Sequence, residues 1–157
     1  ALLRKLASMP RSPRGNRGDL AAALEGLRRP PRRRGFAVVI SDFLGDLDWE
    51  RPMRALAVRH DVLAIEVLDP VELGLPPVGL LTLVDPESGA LLEVQTNKKQ
   101  LREKYETAAS EQRAEIAAAL RRAGAGHLQL RTDRDWLVDM VRFVAARRRG
   151  ASGGALR

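Results

Sequence analysis

Five consecutive apolar residues, Phe36-Ala37-Val38-Val39-Ile40, run straight into Ser41-Asp42 with no polar side chain between them. A strand with one wet face alternates apolar and polar residues, because successive side chains point to opposite faces. The uninterrupted run therefore predicts a strand buried on both faces, as in the interior of a parallel sheet. Val62-Leu-Ala-Ile-Glu-Val-Leu68, ending in Asp69-Pro70, is expected as a second strand, and His127-Leu-Gln-Leu130 as a third core strand.

Helical spacing fills the intervals. Leu20, Ala23, Leu24 and Leu27 fall at i, i+3, i+4 and i+7, with Asp19 placed to cap that helix and Pro30-Pro31 to stop it. Trp49, Met53, Leu56 and Ala57 repeat the pattern, with Pro52 tolerated in the first turn. A long helix is expected over about 97–123; its stripe runs through Leu101, Tyr105, Ala108, Ile116 and Leu120, and Gly124 and Gly126 end it. Asp133 is expected to cap a final helix carrying Leu137, Met140, Val141 and Val144. Leu80–Val84 and Leu91–Val94 flank Asp85-Pro-Glu-Ser-Gly89, which predicts a β-hairpin with a five-residue loop.

Strands alternating with helices make an α/β chain with a parallel sheet. Open doubly wound sheets usually carry five or six strands. Three core strands with an inserted hairpin are thus expected to form the C-terminal part of a larger Rossmann-like α/β domain. The expected division is a helix fragment and basic linker over 1–18, the α/β part over 19–147, and a flexible basic tail over 148–157.

Composition narrows function more than fold. With no Cys among 157 residues, disulfide scaffolds, thiolate zinc sites and cysteine nucleophiles are excluded. Aromatic residues make up 4%, too few for the stacking platforms of a single-strand nucleic-acid binder. No apolar run reaches the roughly 18 residues of a membrane span, so a soluble cytoplasmic domain is the expectation.

The net charge of +7 is unevenly spread: residues 1–34 hold ten Lys/Arg against Asp19 and Glu25, and residues 142–157 add five Arg with no acid. The folded centre is therefore acidic and the ends are basic. Nucleic-acid grooves more often place their cations on a structured face, which argues against that partner here. Arg32-Arg33-Arg34 and Arg147-Arg148-Arg149 remain the places where phosphates would be met.

Ligands of open α/β sheets sit at the carboxyl ends of strands, and Asp42, Asp69 and Asp133 each follow a strand directly. Hard oxygen ligands suit Mg²⁺, which takes one or two carboxylates and keeps several waters; Asp46 and Asp48 lie in the same loop as Asp42. The competing role is helix cap or turn former, preferred for Asp133 and Asp69 and evenly balanced for Asp42. His60 and His127 are far apart and are read as structural or surface residues. Ser41 lacks the glycines of a nucleophile elbow, and no Gly-rich phosphate loop is present. Arg17-Gly18-Asp19 begins a helix rather than spelling a recognition tripeptide. Trp49 and Trp136 each open a helix, with burial expected for both and a partner hot spot as the alternative.

Arg17-Gly-Asp-Leu-Ala-Ala-Ala-Leu24, Arg33-Arg-Gly-Phe-Ala-Val-Val-Ile-Ser-Asp-Phe43, Ala57-Val-Arg-His-Asp-Val62, Leu68-Asp-Pro-Val-Glu-Leu73, Val78–Gly89 and Thr132-Asp-Arg-Asp-Trp136 together resemble the domain of unknown function 58 family. The resemblance implies a von Willebrand factor A-like domain working beside a MoxR-type AAA+ ATPase. The strands would be the last three of a six-stranded sheet, and the hairpin a family insertion. It also implies a metal-ion-dependent adhesion site for Mg²⁺, of which Asp42 alone maps onto this chain. The Asp-x-Ser-x-Ser motif is absent, and neither Asp19 nor Ser12 replaces the missing Thr, so the metal site is expected to be incomplete.

The expected function is a non-enzymatic protein-interaction module, with Ser41, Asp42, Asp46, Trp49 and Asp69 as its contact face and the ATPase as partner. The alternatives are a Mg²⁺-dependent phosphohydrolase using Asp42 and Asp69, and a non-specific nucleic-acid binder acting through the Arg-rich ends. No cofactor is certain, Mg²⁺ belonging to the complete parent domain. The bare edge of the Phe36–Ile40 strand predicts self-association.

Overall fold

The apolar runs beginning near Phe36, Val62 and His127 pair as neighbouring parallel strands in the computed structural model, which describes residues 4, 5, 8, 18–27, 34–84 and 89–152. In chain order the elements are α1 (Leu20–Leu27), β1 (Phe36–Ser41), a 3-10 turn (Leu47–Trp49), α2 (Glu50–Ala57), β2 (Asp61–Leu68), the single turn α3 (Pro70–Leu73), β3 (Leu80–Val84), β4 (Leu91–Gln95), α4 (Lys99–Arg122), β5 (Gly126–Arg131) and α5 (Trp136–Ser152). The sheet order is β1-β2-β5, with Phe36 opposite Asp61 and Ser41 opposite Glu66 in one pair, and Leu63 opposite Gly126 in the other. β3 and β4 form a separate antiparallel hairpin. The α/β class, the three-stranded parallel sheet and the hairpin are as the patterning predicts; the hairpin tip at 85–88 and most of 1–17 lie outside the described residues.

One face of the sheet carries the main core. Leu24 of α1, Met53 and Leu56 of α2, and Ile116, Ala119 and Leu120 of α4 pack on Val39, Val62 and Ala64. Asp19 starts α1 as expected, its carboxylate accepting from the Ala22 amide at 2.7 Å. On the other face Met140 and Phe143 of α5 pack on Leu63, Ile65 and Leu128.

Four expectations are corrected. Phe36, Val38 and Ile40 are 60%, 46% and 66% exposed, so β1 is buried on one face only. Among the described strands it lies at the edge, and the apolar side chains of α5 that pack on the sheet meet β2 and β5, with Arg147 reaching the Phe36 ring. The final helix begins at Trp136 and is capped by Asp135, whose side chain accepts from the Leu137 amide at 2.9 Å, while Asp133 is held by Arg131 at 2.8 Å. Its buried stripe runs through Met140 and Phe143, leaving Trp136, Leu137, Val141 and Val144 exposed. Ala108 is exposed on α4, whose buried residues are Arg113, Ile116, Ala119 and Leu120.

The hairpin is tied down at its base. The Thr96 hydroxyl donates to the Gly79 carbonyl at 2.8 Å and accepts from the Val78 amide at 3.1 Å, and Arg102 donates to the Thr96 carbonyl at 2.6 Å. No helix among the described residues is long and apolar enough to cross a membrane.

Candidate functional site

β1 ends in a tight turn whose shape follows from its residue types. The Ser41 hydroxyl accepts from the Phe43 amide at 3.1 Å, and the Asp42 carboxylate accepts from the Leu44 amide at 3.1 Å. Short polar side chains form such turns because they substitute for backbone acceptors. Phe43 adopts φ 56°, the left-handed region that costs a residue with a Cβ about 1–2 kcal/mol. Its ring is buried against Trp49 in an edge-on pair, with centroids 5.2 Å apart at 62°, and that contact offsets the strain. Asp42, Leu44 and Asp46 are left facing solvent.

Beneath this turn lies an ionic network that the sequence reading did not anticipate. Arg113 of α4 is buried, and one of its terminal nitrogens donates to Glu66 of β2 at 2.9 Å and to the Asp42 carbonyl at 3.1 Å. The other donates to Glu72 of α3 at 2.7 Å. A single planar guanidinium thus joins the carboxyl end of β1, the strand β2 and the turn α3, using the fork of donors that lysine lacks. Glu66, fully buried, also receives His127 at 2.7 Å and the Gln129 amide at 2.9 Å.

Burial works to raise the Glu66 carboxyl, but the hydrogen bonds from His127, Gln129 and Arg113 prevail and hold it below the usual carboxylate range. Glu72 goes the other way. Burial pushes its carboxyl up against the pull of Arg113, and the charges of Asp42 and Asp69 add to the rise. Tyr105, whose hydroxyl donates to the Val71 carbonyl at 3.1 Å, is raised by burial and by the Glu72 charge.

The proposed site residues therefore divide. Ser41, Asp42 and Asp46 share the turn after β1, and Asp42 and Asp69 converge electrostatically on Glu72. Asp69 caps α3 by accepting from the Val71 amide at 2.9 Å, in keeping with its expected turn role. Trp49 is 2% exposed and supports the turn from below; its indole is not presented to a partner. Trp136, expected to be buried, is 58% exposed at the first position of α5, whose packed residues are Met140 and Phe143. His60 is half-buried away from this corner, and His127 is a network member.

The Mg²⁺ implied at Asp42 does not fit the residues present. No group of three or more His, Asp or Glu side chains able to hold a metal occurs among the described residues, and one Asp42 oxygen already accepts from the Leu44 amide. Of the basic runs, Arg32-Arg33 lies outside the described residues. Arg147 is engaged, pairing with Asp61 and lying 6.0 Å above the Phe36 ring.

Glu66 and Arg113 could have been suspected from the sequence. Glu66 is the one charge inside the apolar run Val62–Leu68, which demands a partner. Arg113 stands three and seven residues before Ile116 and Leu120 on the buried stripe of α4. Their meeting could not be read, since 47 residues separate them.

A family model described as "Protein of unknown function DUF58" matches residues 1–115. The chain belongs to that family. It is 57% identical over 153 residues to uncharacterized proteins of Mycobacterium bovis and Mycobacterium tuberculosis, covering 98% of this chain and 48% of theirs. An uncharacterized protein of Mycobacterium avium is 56% identical over 153 residues, covering 98% of this chain and 90% of its own. The chain thus spans about half the length of the longer curated relatives it matches. No solved structure matches it.

Proposed function

We propose that this DUF58 chain is a non-enzymatic protein-binding module of von Willebrand factor A-like type, and that its partner is a MoxR-type AAA+ ATPase. The contact face is the corner formed by the turn after β1 and the Asp69 end of β2. The observation that carries this reading is the construction of the turn. Asp42 and Leu44 stand in solvent, while Ser41, Phe43 and the Asp42 carbonyl are fixed from beneath by hydrogen bonds, aromatic packing and Arg113. A projecting, pre-shaped loop on a rigid sheet loses little entropy on binding. The choice of partner rests on the family resemblance.

The test is a binding titration of the purified ATPase against the chain, by biolayer interferometry. The Asp42→Ala, Leu44→Glu double variant should weaken binding at least about tenfold, as expected for a contact at the centre of an interface. Val58→Ser, at an exposed site on the opposite end of α2, should leave binding unchanged. Both variants must first show the melting temperature of the parent. Equal binding by all three, or no binding by the parent chain, would overturn the reading.

A further inference from the structure

A two-stranded ribbon is marginal in water unless a third strand or a helix packs on it. Among the described elements, β3 and β4 pack chiefly on each other, and the ties through Thr96 and Arg102 hold only the base of the hairpin. Leu80, Val84, Leu91 and Leu92 are left 59–70% exposed. The strand β3 reads Leu80-Leu-Thr-Leu-Val84, with no charge and no proline. Its outer edge therefore lacks the devices with which natural sheets discourage pairing.

The ladder shows which backbone groups that edge presents. The Thr96 amide donates to the Gly79 carbonyl at 2.7 Å, one step before the Leu80–Gln95 pair. Bonded and non-bonded pairs alternate between antiparallel strands. Leu81–Val94 and Leu83–Leu92 are thus the bonded pairs inside the hairpin, and Leu80, Thr82 and Val84 turn their amides and carbonyls outward, where no described strand receives them. The segment is also nearly symmetric about Thr82. A two-fold axis at Thr82 sets Thr82 of one copy against Thr82 of another, Leu81 against Leu83, and Leu80 against Val84. The three outward-facing residues of each copy then meet the three of the other with no slip in register.

We propose that β3 pairs antiparallel with β3 of a second copy of this chain about that axis, giving a four-stranded sheet in the order β4-β3-β3-β4. Charge selects this edge and this occupant. The same operation on β4 would oppose two Glu93 carboxylates, which is destabilising, whereas β3 opposes two threonines, a favourable pair. A contact of β3 with β4 of the next copy would be head-to-tail and would not close at two. In the symmetric sheet Leu80, Val84 and Leu91 of both copies share one face, because Val84 stands opposite Leu91 and side chains alternate along each strand. The length of a relative points the same way. The Mycobacterium avium protein has 90% of its own length within the matched region, so hardly any further sequence of its own is left to fill the edge. The inference uses neither the edge of β1 nor the strand-end corner.

The test joins sedimentation velocity to single-cysteine crosslinking of this chain, which has no cysteine of its own. A five-residue strand pair is a small interface, so a dimer dissociating at about 1–100 μM is expected. Thr82→Lys meets Glu93 inside its own hairpin, an attractive pair, but meets its own like charge across the axis. It should weaken the dimer at least about tenfold, with the melting temperature of the dilute monomer unchanged. Thr82→Cys should crosslink into dimers under mild oxidation, and Glu93→Cys, one strand further from the axis, should not. A chain that stays monomeric to about 1 mM would overturn the proposal, and so would a dimer that Thr82→Lys leaves intact. Crosslinking through Val38→Cys in place of Thr82→Cys would overturn it as well, since the copies would then meet along β1.

Discussion

Arg113 and Glu66 stand 47 positions apart in the chain and meet at 2.9 Å in the interior, where the glutamate is fully buried. Removing one partner of a buried pair leaves the other charge uncompensated, at a cost of about 3–5 kcal/mol. Glu66→Gln is expected to lower the free energy of unfolding by about 3 kcal/mol in urea titrations. The Glu66→Leu, Arg113→Met double variant should lose less than the two single losses combined. Additive losses would show that the two side chains act separately.

The same glutamate sets an acid limb. Its folded pKa lies below the ordinary 4.5, so the unfolded chain takes up the proton first as pH falls. The stability it contributes is complete above about pH 4.5 and is lost as pH falls through the folded value. Glu72, raised in the fold, has the opposite sign: its contribution is lost as pH rises from 4.5 through its own folded value. Unfolding free energies measured from pH 3 to 7 should fall on the acid side, with a flatter slope in Glu66→Gln. An unchanged slope would count against the network as the source.

Phe43 offers a reversal of the usual order of substitutions. Phe43→Ala keeps the left-handed backbone and loses the buried ring, at about 3 kcal/mol or more. Phe43→Gly loses the same ring but relieves the backbone by about 1 kcal/mol, so the glycine variant should be the more stable of the two. Thermal melting of the pair decides it, and the opposite ranking would mean that φ 56° carries no strain here.

Two glycines should respond to alanine with opposite signs. Gly26 lies inside α1 with nothing within 4 Å of a built Cβ, so Gly26→Ala should stabilise by about 0.5–1 kcal/mol. Gly124 closes α4 at φ 77°, with only the Ala57 methyl at 3.8 Å, so Gly124→Ala should destabilise by about 1 kcal/mol through its backbone alone. Differential scanning calorimetry resolves both.

Divalent cations give a direct check on Asp42. Since no cage of carboxylates or imidazoles surrounds it among the described residues, millimolar Mg²⁺ should move the melting temperature by less than about 1 °C, because only a ligand of the native state stabilises it. A saturable rise that Asp42→Ala abolishes would reinstate a metal site in this chain.

The sequence alone determined what depends on local periodicity and local hydrogen bonding. The apolar runs at Phe36, Val62 and His127 became three parallel strands, the stripes at Leu24, Met53 and Ile116 became core helices, and Asp19 and Asp69 capped as their positions dictate. Part of the strand-end corner was legible for the same reason, since Ser41 and Asp42 shape a turn through neighbours one and two residues away. Tertiary structure decided which faces were covered and which charges met. Phe36, Val38 and Ile40 have the hydropathy of a central strand, yet they are exposed because the apolar side chains of α5 pack on β2 and β5 instead. Trp136 has the character of a core residue, yet it is exposed while Met140 and Phe143 of the same helix pack on the sheet. Glu66, Glu72 and Arg113 converge because β2, α3 and α4 are brought side by side by packing between distant segments. Periodicity records whether a side chain prefers to be buried, but burial itself, and the partner found there, depend on elements that lie far away in the chain.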